Sequence, residues 1–231
     1  MNNYLIEQLT AVRNEISQAA IDAGRTPESV KLVAVSKTFP ATDIVTAYSA
    51  EQRLFGENRV QELEEKNSEL ADDIEWHLIG HLQSNKVTKA VACADYIHAV
   101  DSAKLLERIN RLAGELNRRP KILLEINISG ELSKFGTTES DALKLAAVAL
   151  KCANLDFVGL MTMAPYGADE QELHHIFGSL RRLRNNIAAH FSIELPELSM
   201  GMSADYKIAI AEGATLVRVG SAIFGKRTKV V

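Results

Sequence analysis

Eight short apolar runs, rich in β-branched residues, recur along the chain at 30–37 (VKLVAVSK), 53–57, 74–80, 95–100, 121–128, 157–163, 195–201 and 215–221. Runs of this length that are apolar on both faces suit strands covered on both sides, the situation of a parallel sheet wrapped by helices. Helical stretches at 59–71, 103–117, 139–152, 169–189 and 204–212 fall between them, and Pro40 suits the first turn of another helix after the first run. Eight β–α units within 231 residues predict one α/β domain over 1–231, folded as a single closed (β/α)8 barrel of the TIM type. An open doubly wound sheet is the alternative. Residues 2–24 stand outside the repeat as an extra N-terminal helix, because Leu5, Leu9, Val12, Ile16 and Ala19 recur at the spacing of one apolar face.

Charge and cysteine content narrow the function. Lys and Arg number 26 against 30 Asp and Glu, a net charge of −4, without a run of five like charges. Nucleic acid is therefore not an expected partner. The N-terminus lacks a basic segment followed by an apolar stretch, and no window reaches the roughly 18 uninterrupted apolar residues of a membrane span. No membrane association and a cytoplasmic address are expected. Cys93 and Cys152 are too few and too far apart for a disulfide framework or a zinc site, which leaves them as reduced structural thiols. His77, His98, His174, His175 and His190 lack carboxylate or cysteine neighbours at ligand spacing, so core or solvated histidines are expected and no metal.

Ligands of such barrels collect at the C-terminal ends of the strands. Lys37 ends the first run on the side of Val33 and Val35. There its amine would lie among apolar walls, and desolvation favours the neutral, nucleophilic form. A surface lysine is the competing reading of that segment taken alone. At the other end of the chain, TLVRVGS runs straight into a Gly220-Ser221 turn and a short helix. Loops after strands seven and eight, with amides at a helix start, form a recurrent phosphate cradle, and glycine lets the backbone come close. The preceding loop, LSMGMSADY, offers Ser199 and Ser203, of which Ser203 also suits a helix cap. Ordinary turns and caps account for each of these loops equally well.

Alternation discriminates better. It puts Leu216, Arg218 and Gly220 on one face of the last strand and Val217 and Val219 on the other, so Arg218 should point into the barrel. A buried guanidinium needs a partner. Glu125, which shares a face with Asn127, would give an internal ion pair; a heterocyclic ring nitrogen would give a ligand contact. Both stay open at this point. Asn58 and His81 fall just past strands two and three and could line the mouth, though turn and cap roles suit them too. Met161, Met163, Met200 and Met202 cluster at two strand ends, where core packing competes with contact to a flat ring.

Read in order, VKLVAVSKTFP, FGENRVQE, WHLIGHLQSNK, GLMTMAP, LSMGMSADY and VRVGSAIFG resemble the pyridoxal phosphate homeostasis protein family over nearly the whole chain. The resemblance implies a barrel like the N-terminal domain of alanine racemase and pyridoxal 5'-phosphate as the cofactor. It implies Lys37 as the Schiff-base lysine, Arg218 facing the pyridine nitrogen, Ser203, Gly220 and Ser221 holding the phosphate, and Asn58 near the ring. An arginine there keeps the ring nitrogen unprotonated and weakens the ring as an electron sink. Only ten residues follow Ser221, so the second domain that supplies a racemase with its other acid/base is not expected. The expected role is intracellular vitamin B6 cofactor homeostasis without catalytic turnover, as a monomer that holds the cofactor and delivers it to apo enzymes that depend on it. A single-domain racemase-like enzyme using Lys37 and His81 is the alternative, and a phosphosugar barrel enzyme a third.

Overall fold

The computed structural model describes residues 3–131 and 134–225. Eight strands form the sheet: β1 (Lys31–Val35), β2 (Leu54–Glu57), β3 (Glu75–Leu78), β4 (Tyr96–Val100), β5 (Lys121–Glu125), β6 (Asp156–Met161), β7 (Glu197–Met202) and β8 (Leu216–Val219). They pair in sequence order, and β8 returns to β1 to close the barrel. Every pairing is parallel. The closing register, with Val33 opposite Arg218 and Ala34 opposite Val219, excludes the open sheet. Around it run α1 (Asn3–Asp22), α2 (Ala41–Ser49), α3 (Val60–Glu69), α4 (Val87–Cys93), α5 (Ala103–Glu115), α6 (Glu139–Ala149), α7 (Glu170–Phe191), α8 (Tyr206–Ala211) and α9 (Ser221–Phe224).

Period-two alternation sorts the strand residues into two cores. Leu32, Ala34, Phe55, Trp76, Ile97, Ile122, Leu124, Leu198, Val217 and Val219 join the helices in the outer core. Val33, Tyr96, Ala99, Leu123, Met161 and Leu216 pack inside the barrel. Helix α1 buries Leu5, Leu9, Val12, Ile16 and Ala20 and lies against α8 and α9; the expected Ala19 is only partly buried. The first residue of the predicted 2–24 helix lies outside the described residues. Helix α4 carries too short an apolar pattern to stand out in the sequence, and Pro40 proves to be the cap residue before α2 rather than part of its first turn.

Five strands stop two or three residues before their predicted ends. The apolar alternation continues past Val35, Leu78, Glu125, Met161 and Val219, but the ladder does not. Lys37 consequently lies in a turn after β1, followed by Thr38 at a φ of 70°, a left-handed conformation that ends a strand. Among the described residues no helix is long and apolar enough to cross a membrane.

Candidate functional site at the barrel mouth

The turn that carries Lys37 is clamped on both sides. Before it, Ser36 donates its hydroxyl to Glu57 Oε1 at 2.7 Å, and Lys66 Nζ donates to the Ser36 carbonyl at 3.0 Å and to Glu57 Oε1 at 2.7 Å. After it, the Thr38 amide donates to Glu62 Oε1, which also accepts from Lys66 at 2.8 Å. Lys37 itself is half-buried. Sequence reasoning missed this clamp. Its one visible signal is Lys66 itself, which falls on the apolar stripe of α3 with Val60 and Leu63. Burial pushes the Glu57 carboxyl up, against the pull of Lys66 and Ser36.

Barrel closure brings the Gly-Ser turn beside this clamp. Gly220 approaches β1 so closely that a Cβ there would lie 3.1 Å from the Val35 carbonyl oxygen. Its amide donates to Ser203 Oγ at 3.3 Å, linking the β8–α9 turn to the β7–α8 loop. Ser203 therefore does not cap α8 as its position suggested; Asp205 holds that place, and its carboxylate accepts from the Met202 amide. Phe39 stacks on Phe224 with centroids 5.2 Å apart, tying the Lys37 turn to α9. Ser221 opens α9 and is exposed. Its amide and that of Ala222 belong to the first turn, where N–H groups lack intrahelical acceptors. Asn58 is exposed just past β2 and packs on Gly80, where a Cβ would strike the Asn58 carbonyl.

Arg218 points inward, as alternation requires, and is 4% exposed. It donates from Nη1 to Ser199 Oγ at 2.5 Å and from Nη2 to the Thr162 carbonyl at 2.9 Å. Desolvation lowers its pKa to about 10, so it stays charged at neutral pH. Two of its N–H groups are bound in this way, and guanidinium has further donors to offer. No ion pair joins it to Glu125 among the described residues, which removes that partner. Glu125 is buried, its Oε2 has no hydrogen-bond partner among the described residues, and burial first, then Asp101, push its pKa up to about 7 against the opposing charge of Arg218.

The remaining expected residues divide. His81 is exposed, stacks on Phe135 at 3.9 Å and lies 3.9 Å from Asp101. With Asn58, Arg59, Gln83 and Lys86 it lines a cleft of about 690 Å³ beside the mouth. The methionines do not act together: Met161 lies inside the barrel and Met163 packs partly buried against that core, Met200 is in the outer core and Met202 is 37% exposed. His77 and His98 are core residues, and no group able to hold a metal ion occurs among the described residues.

The requirements of a phosphorylated aromatic aldehyde match what the mouth offers. A half-buried lysine in a clamped turn, a glycine turn pressed against a strand, first-turn amides and a buried cation with donors to spare lie at the ends of β1 and β8. Fold and site define a barrel of the alanine racemase N-terminal domain class, whose family model matches residues 8–228. Curated relatives are more specific. The pyridoxal phosphate homeostasis protein of Aquifex aeolicus is 39% identical over 222 residues, 96% of this chain and 97% of its own length. The human protein of the same name is 42% identical over 234 residues, 95% of this chain and 85% of its own. The chain belongs to the pyridoxal phosphate homeostasis protein family.

Solved structures agree. PipY of Synechococcus elongatus, with PLP bound, superposes with a TM-score of 0.86 at 42% identity, covering 96% of this chain and all of that one. Alanine racemase of Clostridium difficile shares the fold, with a TM-score of 0.76 at 14% identity, and this chain spans 58% of its length.

Proposed function

We propose that this chain binds pyridoxal 5'-phosphate at the barrel mouth and serves its homeostasis as a holder and donor of the cofactor rather than as an enzyme. The observation that carries this reading is the convergence of the clamped Lys37 turn with the Gly220-Ser221 turn across the β1–β8 closure, in a family of which PipY has a structure with PLP bound. When bound, the group supplies an aldehyde that condenses reversibly with an amine, and a pyridine ring that can draw electrons. Lys37 provides that amine. Ser203, Gly220 and Ser221 hold the phosphate through hydroxyls and backbone amides, and Asn58 borders the ring.

Arg218 faces the ring nitrogen. Because it remains charged, it can donate a hydrogen bond to that nitrogen but cannot accept one from a ring N–H, so it disfavours protonation there and limits the ring's use as an electron sink. Names of the relatives support a homeostatic rather than an enzymatic role. His81, the candidate second base of a racemase-like enzyme, is instead stacked on Phe135. We place the protein in the cytoplasm as a monomer that hands the cofactor to apo enzymes.

Borohydride reduction of the loaded protein followed by peptide mass spectrometry tests the site. The adduct should map to Lys37, and Lys37→Ala should lose both the adduct and the yellow absorbance. A principal adduct on another lysine overturns the assignment. Mixing loaded protein with an apo enzyme should restore that enzyme's activity, whereas amino acid turnover by this chain above roughly 1 s⁻¹ would establish an enzyme instead.

A further inference from the structure

The interior of an eight-stranded barrel is ordinarily filled by branched apolar side chains. Here Glu75, His77, His98, Ser199 and Arg218, from β3, β4, β7 and β8, occupy it and touch end to end. Glu75 Oε1 lies 3.1 Å from His77 Nε2, and His77 Nδ1 lies 2.8 Å from His98 Nε2. His98 Nδ1 then lies 2.8 Å from Ser199 Oγ, which accepts from Arg218 Nη1 at 2.5 Å. Both histidines and Ser199 are fully buried, and Tyr96 stacks on the His77 ring at 4.4 Å.

Distances leave the direction of these bonds open, but the chemistry of the two ends closes it. At the mouth, a guanidinium can only donate. At the floor, burial opposes ionisation of Glu75, yet its bond to His77 and the charges of Lys121 and Lys31 hold the carboxyl below its usual range. An ionised carboxylate only accepts, so His77 presents Nε2–H. A neutral imidazole has one N–H, so His77 Nδ1 accepts and His98 donates from Nε2. His98 Nδ1 then accepts the Ser199 hydroxyl proton, and the Ser199 oxygen is left to accept from Arg218. Opposite ends thus demand the same direction. Burial keeps both rings neutral: it depresses His77 despite Glu75, and burial with His77 and Arg218 depresses His98 well below its usual range.

We propose that these residues form one polarised hydrogen-bond chain, directed from Arg218 to Glu75 through two Nε2–H tautomers, and that Ser199, His98, His77 and Glu75 are positioning residues that aim the Arg218 guanidinium at the mouth. Aiming it at a cofactor ring rests on the function proposed above; the direction of the chain does not. Each bond polarises the next, so the rotamer of Arg218 depends on a carboxylate at the far end of the barrel. The other charged and titratable groups near the chain are Lys31, Lys121, Asp95, Tyr96 and Glu197 at the floor and Glu125 and Asp205 near Arg218.

The test combines ¹⁵N NMR of the imidazoles and of the Arg218 side chain, without cofactor, with pyridoxal phosphate retention measured by absorbance. Wild type should show Nε2–H tautomers for His77 and His98 that do not change between about pH 6 and 8. Ser199→Ala should speed hydrogen exchange at Arg218, shift His98 Nδ1 and weaken retention about tenfold, ~1.4 kcal/mol, and Ser199→Thr should restore all three. An Nδ1–H tautomer or a charged ring at either histidine overturns the chain. Unchanged Arg218 exchange and retention in Ser199→Ala overturns the positioning role. Failure of wild type to bind the cofactor overturns the function proposed above, while the tautomers and the Arg218 exchange still decide the chain.

Discussion

Arg218 and Glu125 share the buried barrel interior without pairing: Arg218 donates to Ser199 Oγ and the Thr162 carbonyl, and Glu125 Oε2 has no partner among the described residues. Neither is neutralised by direct contact, so each stays sensitive to what enters the mouth.

Glu125 should make stability pH-dependent. Its folded pKa is about 7, against about 4.3 for an unfolded glutamate. A raised carboxyl contributes stability that is fully present below about pH 4.3 and is lost as pH rises through about 7. Glu125→Gln should therefore be more stable than wild type at pH 8, by roughly 4 kcal/mol at most, with the gap closing toward pH 5. Calorimetry that finds the same gap at both pH values contradicts the assignment.

Lys66→Met should destabilise strongly, because Glu57 is fully buried and Lys66 is its charge partner. Removing one member of a buried pair costs about 3–5 kcal/mol. Adding Glu57→Gln should recover part of that loss. Denaturant unfolding of both singles and the double gives the coupling, and strictly additive losses would show that the pair is not coupled.

Arg218→Lys should not behave as a conservative change. Two separate guanidinium nitrogens reach Ser199 and Thr162, and a single ammonium cannot reproduce that fork. Losing one charged bond costs about 1.5–3 kcal/mol, and cofactor retention should fall with it. A lysine variant as stable and as yellow as wild type would show that one positive charge suffices.

Gly159→Ala tests the barrel wall. A Cβ at Gly159 would strike the Glu197 carbonyl oxygen on the neighbouring strand, and backbone cannot swing aside as a side chain can. The expected cost is above about 3 kcal/mol, read from chemical denaturation. A loss under about 1 kcal/mol would mean that β6 and β7 separate easily.

The amino-acid sequence by itself determined the barrel and the inward direction of Arg218. Both follow from local rules: β-branched runs make strands, and a period of two decides which face each residue takes. The same rules put Lys37 near the mouth but extended its strand too far, because alternation says nothing of where the backbone leaves the ladder. Only the tertiary structure decided what these residues touch. Ser203 meets Gly220 across 17 positions and His98 meets Ser199 across 101. The Glu57–Lys66 clamp and the polar chain under Arg218 likewise join separate elements. Such contacts depend on the closure and stagger of the whole barrel, which set the distance between strands, and that distance is not carried by any local spacing.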